Sequence, residues 1–413
     1  MTQSNAVNPE IPISLPRAIL IYCLVSLFLF FEMMVQVSPS VIAPQLMHDL
    51  SIGAFGLGLM SGFYFYTYTL MQIPSGLMFD QYNPRLIITI SLGVCVVGTL
   101  MFALANNIFI GILARLLMGA GSAFAFVAVL VVTADLFKAK YFAAITGVTQ
   151  MLAALGAMSG QLPISLLVVA MGWRASMYLL VIAGIILLVL IWMLLNYKKP
   201  RELIPLNSSQ TKISQDLRQI FAQPQTWIIA VYACLLWAPM SGFTSLWGVL
   251  YLQHHYHYSL HQAAFLCSLM WLGLAFASPL LGMISTRWQK RKQPLILSAL
   301  LGTCAFLAIL IFPLSKFLLI VALLFAGAAC SGQALSFTVV KEINSQQIRA
   351  TAIAVNNMAV VLSGAIFQPL IGYIVQWGQT YHAQGYQYGA VLIFLCYFIA
   401  TLISAFAIKE SYR

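Results

Sequence analysis

Residues 179–195 read LLVIAGIILLVLIWMLL, a run of seventeen positions without a charged side chain. The run is bounded by Arg174 and Lys198, and its length approaches the roughly 20 residues with which a helix crosses the hydrocarbon core of a bilayer. Apolar and polar residues do not alternate along it. A strand of a closed β-barrel, the other backbone that satisfies its own hydrogen bonds in lipid, is therefore a poor fit. We interpret the run as a transmembrane helix.

The whole chain has the composition of a membrane protein. Of its 413 residues, 62% are hydrophobic and 7% are charged, whereas a soluble globular domain carries about 25% charged residues. This excludes a cytosolic enzyme, a secreted disulfide scaffold and a disordered chain. Runs long enough to cross a bilayer occur at residues 18–46, 53–79, 86–105, 108–136, 141–170, 175–197, 226–253, 261–286, 293–312, 317–340, 350–377 and 386–408. We predict an all-α membrane protein with twelve transmembrane helices.

The basic residues indicate how the spans are oriented. If the N-terminus is cytoplasmic, seventeen of the 20 Lys and Arg residues fall in loops or termini on the cytoplasmic side. The other three are Arg174 and Lys316, in loops on the opposite side, and Arg115, inside a span. The positive-inside rule then predicts that both termini are cytoplasmic. The same bias explains the net charge of +11 without a nucleic-acid partner.

The N-terminus and the loops suggest a location for the protein. Residues 1–17 are polar, and the apolar run that follows them is too long for the core of a cleaved signal peptide. Short loops and the lack of a targeting signal favour a multi-pass protein of the bacterial cell inner membrane. We expect it to work as a monomer in the lipid bilayer.

The cysteines and histidines do not form an obvious metal or cofactor site. All seven Cys fall inside apolar runs without CxxC spacing, which favours buried packing roles. His254, His255, His257 and His261 share one non-cytoplasmic loop and could bind a metal or sense external pH. A polar loop without such a role is the simpler interpretation. We expect neither a metal nor a cofactor.

A polar stretch divides the spans into two sets of six. The predicted organisation is a cytoplasmic N-terminus at 1–17, a six-helix bundle at 18–197, a cytoplasmic linker at 198–225, a second six-helix bundle at 226–408 and a cytoplasmic C-terminus at 409–413. Asp135 and Glu342 are each followed sixteen residues later by a methionine, and in this register Gln150 matches Asn357. Such a repeat indicates a transporter whose binding site lies between the halves near the bilayer midplane.

Three motifs resemble those of the major facilitator superfamily of transporters. Residues 76–85 read GLMFDQYNPR, similar to the family's G-x-x-x-D-R-x-G-R-R signature between spans two and three. Residues 115–123 read RLLMGAGSA, which matches the R-x-x-x-G-x-G-x-A pattern of span four, and residues 172–174 read GWR before span six. The resemblance covers essentially the whole chain and implies two pseudo-symmetric six-helix bundles. Chains of this kind also resemble the lysosomal dipeptide transporter branch, which none of these motifs singles out.

The first motif departs from the family pattern at three positions. Gln81, Asn83 and Pro84 replace a basic residue, a glycine and a second basic residue. Asn tolerates a left-handed backbone better than most residues, so we expect the turn at Asn83 to survive. By resemblance, the motif residues and their counterparts form an inner gate, which comprises Gly76, Asp80, Arg85, Asp135, Arg291 and Glu342.

Glycines in span five bear on the direction of transport. Gly147, Gly156 and Gly160 have the spacing that begins the family's antiporter motif, but its final G-P-x-x-G-G is absent. Drug/proton efflux antiport therefore becomes a weaker hypothesis. Small residues that let two helices approach closely are the preferred explanation of these glycines.

Only two charged residues lie deep within predicted spans, Glu32 in span one and Arg115 in span four. Charge in hydrocarbon is costly, so such residues face a cavity and pair, and we predict that these two pair with each other. By resemblance, spans one and four lie side by side along the central cavity, and several proton-coupled members place a span-one carboxylate near a span-four arginine. The hypothesis is that Glu32 carries a proton and Arg115 binds a substrate carboxylate. A static buried ion pair is the alternative.

Polar and aromatic residues of the candidate cavity spans are candidates for substrate binding. They are Gln36, Tyr64, Tyr68, Gln150, Trp237, Trp247, Gln333, Asn356 and Asn357. Each alone is also consistent with helix packing or with an interfacial belt. The predicted function is proton-coupled symport, by alternating access, of a small polar solute that bears a carboxylate, such as an amino acid, a peptide or an organic acid.

Other functions are weighed against this one. A uniporter for the same solutes and an efflux antiporter are the alternatives within the fold. A membrane enzyme would need acid, base or metal residues clustered at membrane depth, and a channel would need rings of pore-lining charge; the sequence shows neither pattern. A non-transporting sensor of the same fold usually adds a long soluble segment, and the central stretch here is short.

Overall fold

The computed structural model describes residues 14–195, 219–345, 348–381 and 384–412, and all regular structure in these ranges is helical. The first half contains α1 (Leu15–Val37), α2 (Pro39–Asp49), α3 (Ala54–Gln81), α4 (Pro84–Ala103), α5 (Ile108–Ser122), α6 (Ala125–Leu136), α7 (Ala139–Met171) and α8 (Trp173–Leu194). The pairs α1–α2 and α5–α6 each form one crossing that bends at its middle.

The second half repeats this arrangement. It contains α9 (Pro224–Ala238), a π-helical segment π1 (Pro239–Trp247), α10 (Gly248–Tyr256), α11 (Leu260–Trp288), α12 (Lys292–Ile311), α13 (Lys316–Ala329), α14 (Gly332–Ile343), α15 (Arg349–Tyr381), α16 (Gly385–Leu402) and a second π-helical segment π2 (Ile403–Ala407). Most of the predicted linker at 198–225 lies outside the described residues. The domain boundaries therefore stay a prediction.

Eleven helical segments among the described residues are long and apolar enough to cross a membrane. Helix α3 is not one of them, although its 28 residues exceed the roughly 20 that a crossing needs. Its Tyr64, Tyr66 and Tyr68, with neighbouring Thr and Gln residues, lower its hydropathy, and it packs against α5 of its own half and α15 of the other. With α3 included, the described part of the chain makes the predicted twelve crossings, and the all-α membrane fold is confirmed.

The positions at which two helices break show the predicted internal repeat. Helix α5 ends at Ser122 and α13 ends at Ala329, and each is followed by a short break and a second helix. These ends are 207 residues apart, the same separation as between Gln150 and Asn357. Crossings four and ten thus bend at matching points.

The two halves are in close backbone contact toward one side of the bundle. We call the side where α1 and α12 begin the terminal face, and the side where α2 ends and α13 begins the far face. Toward the far face, a Cβ on Gly58 would lie 2.4 Å from the carbonyl oxygen of Gln368, and one on Gly372 would lie 2.6 Å from that of Ala54. Backbones of α3 and α15 therefore touch there, and the protein is closed on the far face.

Toward the terminal face, the helices that meet between the halves leave space. A Cβ on Gly76 of α3, Gly147 of α7 or Gly282 of α11 would find no neighbouring heavy atom within 4 Å. A cavity of about 610 Å³ opens between α11 and α14 on this side, lined in part by Gly282 and Arg291. The described residues thus leave free space on the terminal face, and the cavity lies within the second half.

The turn between α3 and α4 differs from the prediction. Asn83 has a φ of −64°, which lies outside the left-handed region. Its side-chain oxygen accepts a 3.0 Å hydrogen bond from the N–H of Arg85, so Asn83 caps α4, and Pro84 follows at the first helical position, where its fixed φ suits a helix start. The turn is therefore present, as expected, but without a left-handed Asn83, because an N-cap residue typically has extended backbone. The matching turn of the second half does use a left-handed residue, Gln289, with a φ of 53°.

Candidate transport site

Glu32, the predicted proton carrier, lies in the last third of α1 and is 1% exposed. The hydroxyl group of Tyr64 in α3 donates a 2.5 Å hydrogen bond to Glu32 Oε1. The other carboxyl oxygen, Oε2, is buried without a hydrogen-bond partner. A buried carboxyl group is costly unless its oxygens are hydrogen-bonded, so Glu32 retains the capacity to bind one further donor.

Arg115 in α5 is fully buried and contacts the ring of the same tyrosine. Its guanidinium carbon lies 4.4 Å from the centre of the Tyr64 ring, which is the geometry of a cation–π interaction. Its hydrogen bonds are long, 3.5 Å to the carbonyl oxygen of Val35 and 3.4 Å to that of Ser61. Arg115 Nε is buried and has no partner.

The structure brings Glu32 and Arg115 to one site without the direct contact that we predicted. Both residues are described, and no ion pair of 4.0 Å or less joins them. Tyr64 connects them instead, with its hydroxyl group on the acid and its ring against the guanidinium. A residue predicted to bind substrate is therefore the bridge between the two ionisable groups.

The span-four motif explains why Arg115 reaches this position. A Cβ on Gly119 would lie 2.0 Å from the carbonyl oxygen of Tyr64, so the glycine allows α5 and α3 to come into backbone contact. The hydroxyl group of Thr67 in α3 donates a 2.8 Å hydrogen bond to the carbonyl oxygen of Leu116, which lies about one turn before Gly119 in α5. Arg115 precedes Gly119 by one turn of α5, and this places its guanidinium beside Tyr64.

Two span-five glycines position α1, which carries Glu32. Ideal Cβ atoms on Gly156 and Gly160 would each lie 2.6 Å from a carbonyl oxygen of α1, those of Phe30 and Met34. These two glycines therefore pack α7 against α1, as the close-approach interpretation predicts. Gly147, the third glycine of the series, meets open space.

Two asparagines of α15 have different partners. Asn357 donates a 2.7 Å hydrogen bond from Nδ2 to Gln72 Oε1 of α3, which links the two halves. Asn356 is fully buried and donates a 2.9 Å hydrogen bond to Ser336 Oγ within the second half, while its Oδ1 has no partner. Asn357 thus lies where the halves meet.

The remaining candidates for substrate binding are scattered. Tyr68 lies one turn from Tyr64, with 5.9 Å between ring centres. The Trp247 indole donates to the carbonyl oxygen of Gln368 at 3.0 Å and is 2% exposed, so it serves packing in this conformation. The others are placed as follows: Gln36 and Gln333 are buried, Trp237 packs edge-on against Trp271, and Gln150 is exposed on α7.

In the second half, the predicted inner-gate residues form a direct ion pair. Arg291 Nη2 lies 2.7 Å from Glu342 Oε1, and Arg291 Nε also donates to both carboxylate oxygens, at 3.0 and 3.2 Å. The ring of Tyr412 lies 4.7 Å from the Arg291 guanidinium carbon, and Ser411 donates a 2.8 Å hydrogen bond to Glu342. Ser411 and Tyr412 of the predicted C-terminus therefore fold back onto this pair.

The carboxylate of Glu410 attaches this tail to the start of α12. It accepts hydrogen bonds of 2.8 and 3.1 Å from the backbone N–H groups of Arg291 and Lys292, and the N–H groups of Ser411 and Tyr412 also donate to it. Partial burial would raise the pKa of Glu410, but these four N–H donors together hold it below its usual range. The tail therefore stays anchored at neutral pH.

In the first half, Arg85 has a different partner from its counterpart Arg291. It donates to the carbonyl oxygen of Trp192 and stacks on that residue's ring, 4.5 Å from its centre. Gly76 lies in α3 and Asp135 lies in α6. Asp80 belongs to α3, but its side chain lies outside the part of the chain that the structure describes, so the first-half gate stays a prediction.

Two histidines predicted to lie in a far-face loop, His254 and His255, lie in the last turn of α10 and stack on aromatic rings. His254 lies 4.3 Å from the ring centre of Tyr386, and His255 lies 5.2 Å from that of Tyr251. His257 adopts the left-handed conformation after α10, with a φ of 56°. Among the described residues there is no group of three or more His, Cys, Asp or Glu that could hold a metal ion.

Sequence reasoning missed three glutamines with contacts inside the bundle. Gln72 binds Asn357 across the halves, and Gln161 and Gln368 donate to backbone carbonyls of π1. The internal repeat could have identified Gln161 and Gln368, because they are 207 residues apart, the same separation as between Gln150 and Asn357.

Among the described residues, long helices in two related halves surround two buried ionisable side chains, which is the architecture of a multi-pass membrane transporter. The family model of the Major Facilitator Superfamily matches residues 24–368 and, in a second overlapping match, residues 240–413. The chain belongs to the Major Facilitator Superfamily.

Solved structures show the same fold at low sequence identity. A bacterial homolog of the human lysosomal transporter Spinster, inward-facing and unoccupied, is 18% identical with a TM-score of 0.78 over 95% of this chain and 97% of that one. The nucleoside transporter NupG is 14% identical with a TM-score of 0.80, over 94% and 100% of the two chains. A D-xylose-proton symporter is 15% identical with a TM-score of 0.75, over 96% and 99%.

A curated relative, the uncharacterized transporter YybO of Bacillus subtilis (strain 168), is 22% identical over 260 residues. That match covers 57% of this chain and 58% of the relative, less than two thirds of its length. It agrees with the transporter family and gives no substrate.

Proposed function

We propose that this transporter is a proton-coupled symporter for a small polar solute that bears a carboxylate, such as an amino acid, a peptide or an organic acid. The observation that carries the proposal is the Glu32–Tyr64–Arg115 arrangement. An acid and a guanidinium are both buried at one site, do not touch, and each has one polar atom without a partner.

Glu32 is suited to carry the proton because its ionisation changes what the site attracts. Ionisable groups inside membrane proteins are costly and commonly mark proton or substrate pathways. As a carboxylate, Glu32 accepts from Tyr64 and its charge attracts Arg115. Once protonated, it no longer offsets the charge of Arg115, and the site then favours an anion from the solute.

Arg115 is suited to bind that anion. A guanidinium presents its N–H donors in a planar fork that matches a carboxylate, and here Nε is uncommitted while the other hydrogen bonds are long. Both ionisable residues are occluded in this conformation. The proposal therefore includes a step in which side chains move so that the solute reaches Arg115.

The orientation of transport is part of the proposal. We assign the terminal face to the cytoplasm because seventeen of the 20 basic residues fall on that side, which makes the closed far face the external one. The protein would work as a monomer in a bacterial inner membrane, without a cofactor. The fold likeness to a D-xylose-proton symporter is compatible with proton coupling.

The test uses purified protein in proteoliposomes. A thermal-shift screen of amino acids, short peptides and organic acids supplies a solute, and its uptake is measured with and without an imposed proton gradient. Glu32→Gln should abolish gradient-driven accumulation while exchange of labelled for unlabelled solute continues. Ser26→Ala is the matched control, because Ser26 is buried in the same helix and its hydroxyl also lacks a partner; it should transport like the parent.

Three results would overturn the proposal. Accumulation by Glu32→Gln equal to that of the parent would remove the proton role of Glu32. Parent uptake that ignores the proton gradient would favour the uniporter alternative, and a gradient that drives solute out of the vesicles in exchange for protons would favour antiport.

A further inference from the structure

Gln161 and Gln368 occupy equivalent positions of the internal repeat and are both buried, with 0% and 1% exposure. Gln161 lies in α7, two residues before Pro163, and Gln368 lies in α15, next to Pro369. Each has a side-chain oxygen, Oε1, that is buried without a partner. The two residues are therefore a related pair with the same unsatisfied atom.

Both glutamines bind the same structural element, the π-helical segment π1. Gln161 Nε2 donates a 2.8 Å hydrogen bond to the carbonyl oxygen of Thr244, and Gln368 Nε2 donates a 2.7 Å hydrogen bond to that of Ser241. A carbonyl oxygen has two lone pairs and can accept a side-chain donor in addition to a helical one. π-helical turns are rare and occur frequently at functional sites.

The two hydrogen bonds differ in what they connect. Helix α15 and π1 both belong to the second half, so the Gln368 bond lies inside one half. Helix α7 belongs to the first half, so the Gln161 bond joins the halves. Gln161 and Thr244 both lie past the middle of their crossings toward the far face, where the backbones of α3 and α15 also touch.

Alternating access requires the halves to separate on the far face when the protein opens there. That movement must break the Gln161–Thr244 bond, whereas the Gln368–Ser241 bond can move with the second half as a unit. Opening would also admit water to Gln161 Oε1, which lacks a partner in the closed state. Hydration of Oε1 would therefore favour opening, whereas the hydrogen bond from Nε2 to Thr244 favours closure of the far face.

We propose that Gln161 is a latch that holds the far face closed through the backbone of π1, and that Gln368, its repeat counterpart, fixes π1 within the second half. Gln161 is a positioning residue in this role, because it acts on the conformational equilibrium and need not touch the solute. The proposal uses the family's transport fold and does not depend on proton coupling or on the identity of the solute.

The test measures the far-face opening directly. Spin labels are attached at Asn106→Cys and Pro313→Cys, exposed far-face positions in the two halves that are 207 residues apart. The exposed native cysteines Cys23 and Cys304 are replaced by serine. Pulsed electron paramagnetic resonance then gives the distance distribution of the full chain in lipid nanodiscs.

Gln161→Met keeps the size of the side chain and removes both the Nε2 donor and the unpartnered Oε1. A latch requires the lost hydrogen bond to outweigh the removed oxygen, so the ratio of far-open to far-closed molecules should rise, by at most about tenfold. Gln161→Glu, which places an acceptor against the carbonyl oxygen, should raise the ratio at least as much. Gln368→Met is the matched control and should leave the ratio unchanged while lowering the unfolding temperature.

Three results would overturn the latch. One is a distance distribution in Gln161→Met and Gln161→Glu that equals the parent distribution. Another is a shift in Gln368→Met as large as that in Gln161→Met, which would assign the effect to the stability of π1. The third is that both Gln161 variants unfold in part, while the molecules that remain folded keep the distance distribution of the parent protein.

Discussion

Substitution of Gly119 by alanine should separate the two helices that hold Tyr64 and Arg115 together. The new Cβ would lie 2.0 Å from the carbonyl oxygen of Tyr64 and 2.5 Å from Thr67 Oγ1, so α5 and α3 must move apart by more than an ångström. Overpacking of this kind costs about 1–3 kcal/mol. Loss of the hydrogen bond from Thr67 to Leu116 adds about 1 kcal/mol, and the higher helix propensity of alanine returns about 1 kcal/mol.

The net expectation for Gly119→Ala is a loss of about 1–3 kcal/mol of unfolding free energy, together with loss of transport because Tyr64 no longer bridges Glu32 and Arg115. Thermal unfolding in detergent can be followed with a thiol-reactive dye, because Cys95, Cys267, Cys330 and Cys396 are buried in the folded state.

Gly147→Ala is the matched control for this substitution. It introduces the same methyl group into a helix where no heavy atom lies within 4 Å, so its unfolding temperature should equal or slightly exceed that of the parent. If Gly119→Ala and Gly147→Ala unfold at the same temperature, the backbone contact between α5 and α3 does not position the site, and the reasoning fails.

Charged groups at the two faces give two further predictions. Glu342→Gln should lower the unfolding free energy by about 1–3 kcal/mol, because it leaves the partly buried Arg291 without its carboxylate, and a thermal scan that matches the parent would contradict this. At the far face, hydrogen bonds from Trp173, His48 and Arg174 lower the pKa of Asp49 to about 2. The pKa of Asp49 in the folded protein lies below the unfolded value of about 3.9, so Asp49 stabilises the fold above pH 4 and this stabilisation is lost as the pH falls toward 2. Asp49→Asn should therefore flatten a plot of unfolding temperature against pH between pH 4 and pH 2. An unchanged slope there would exclude Asp49 as the source of the pH dependence.

The fold was predictable from the sequence because lipid imposes a simple requirement. A crossing must satisfy its own backbone and present apolar side chains, so hydropathy alone finds most helices. Hydropathy is weakest as a signal for α3, whose Tyr64 is buried against other helices. The repeat register then supplied the relation between the halves, and the close-approach interpretation of the span-five glycines holds at Gly156 and Gly160.

The geometry of the site was less predictable, because it depends on which of several polar residues lies between two charges. The sequence identifies Glu32 and Arg115 as the two buried ions, and charge pairing suggests direct contact. Nothing in a one-dimensional pattern shows that Tyr64 occupies the space between them. The sequence also predicts only a short cytoplasmic end for the C-terminal tail. The contact between this tail and Arg291 joins residues more than a hundred positions apart, so no local pattern indicates it.

The contrast between the charges at the faces and those at mid-membrane depth bears on the choice between a static ion pair and a transport site. Asp49 and Glu342 each bind an arginine and further donors, as expected of groups whose task is structural. A static pair of Glu32 with Arg115 would gain from direct contact, since two unit charges 4 Å apart attract by about 4 kcal/mol at an effective dielectric constant of 20. The described conformation forgoes that gain and leaves an acceptor on one residue and a donor on the other without partners. Groups that must exchange partners during a transport cycle need this freedom, whereas groups that only fix the packing do not, so the geometry supports the transport role for Glu32 and Arg115.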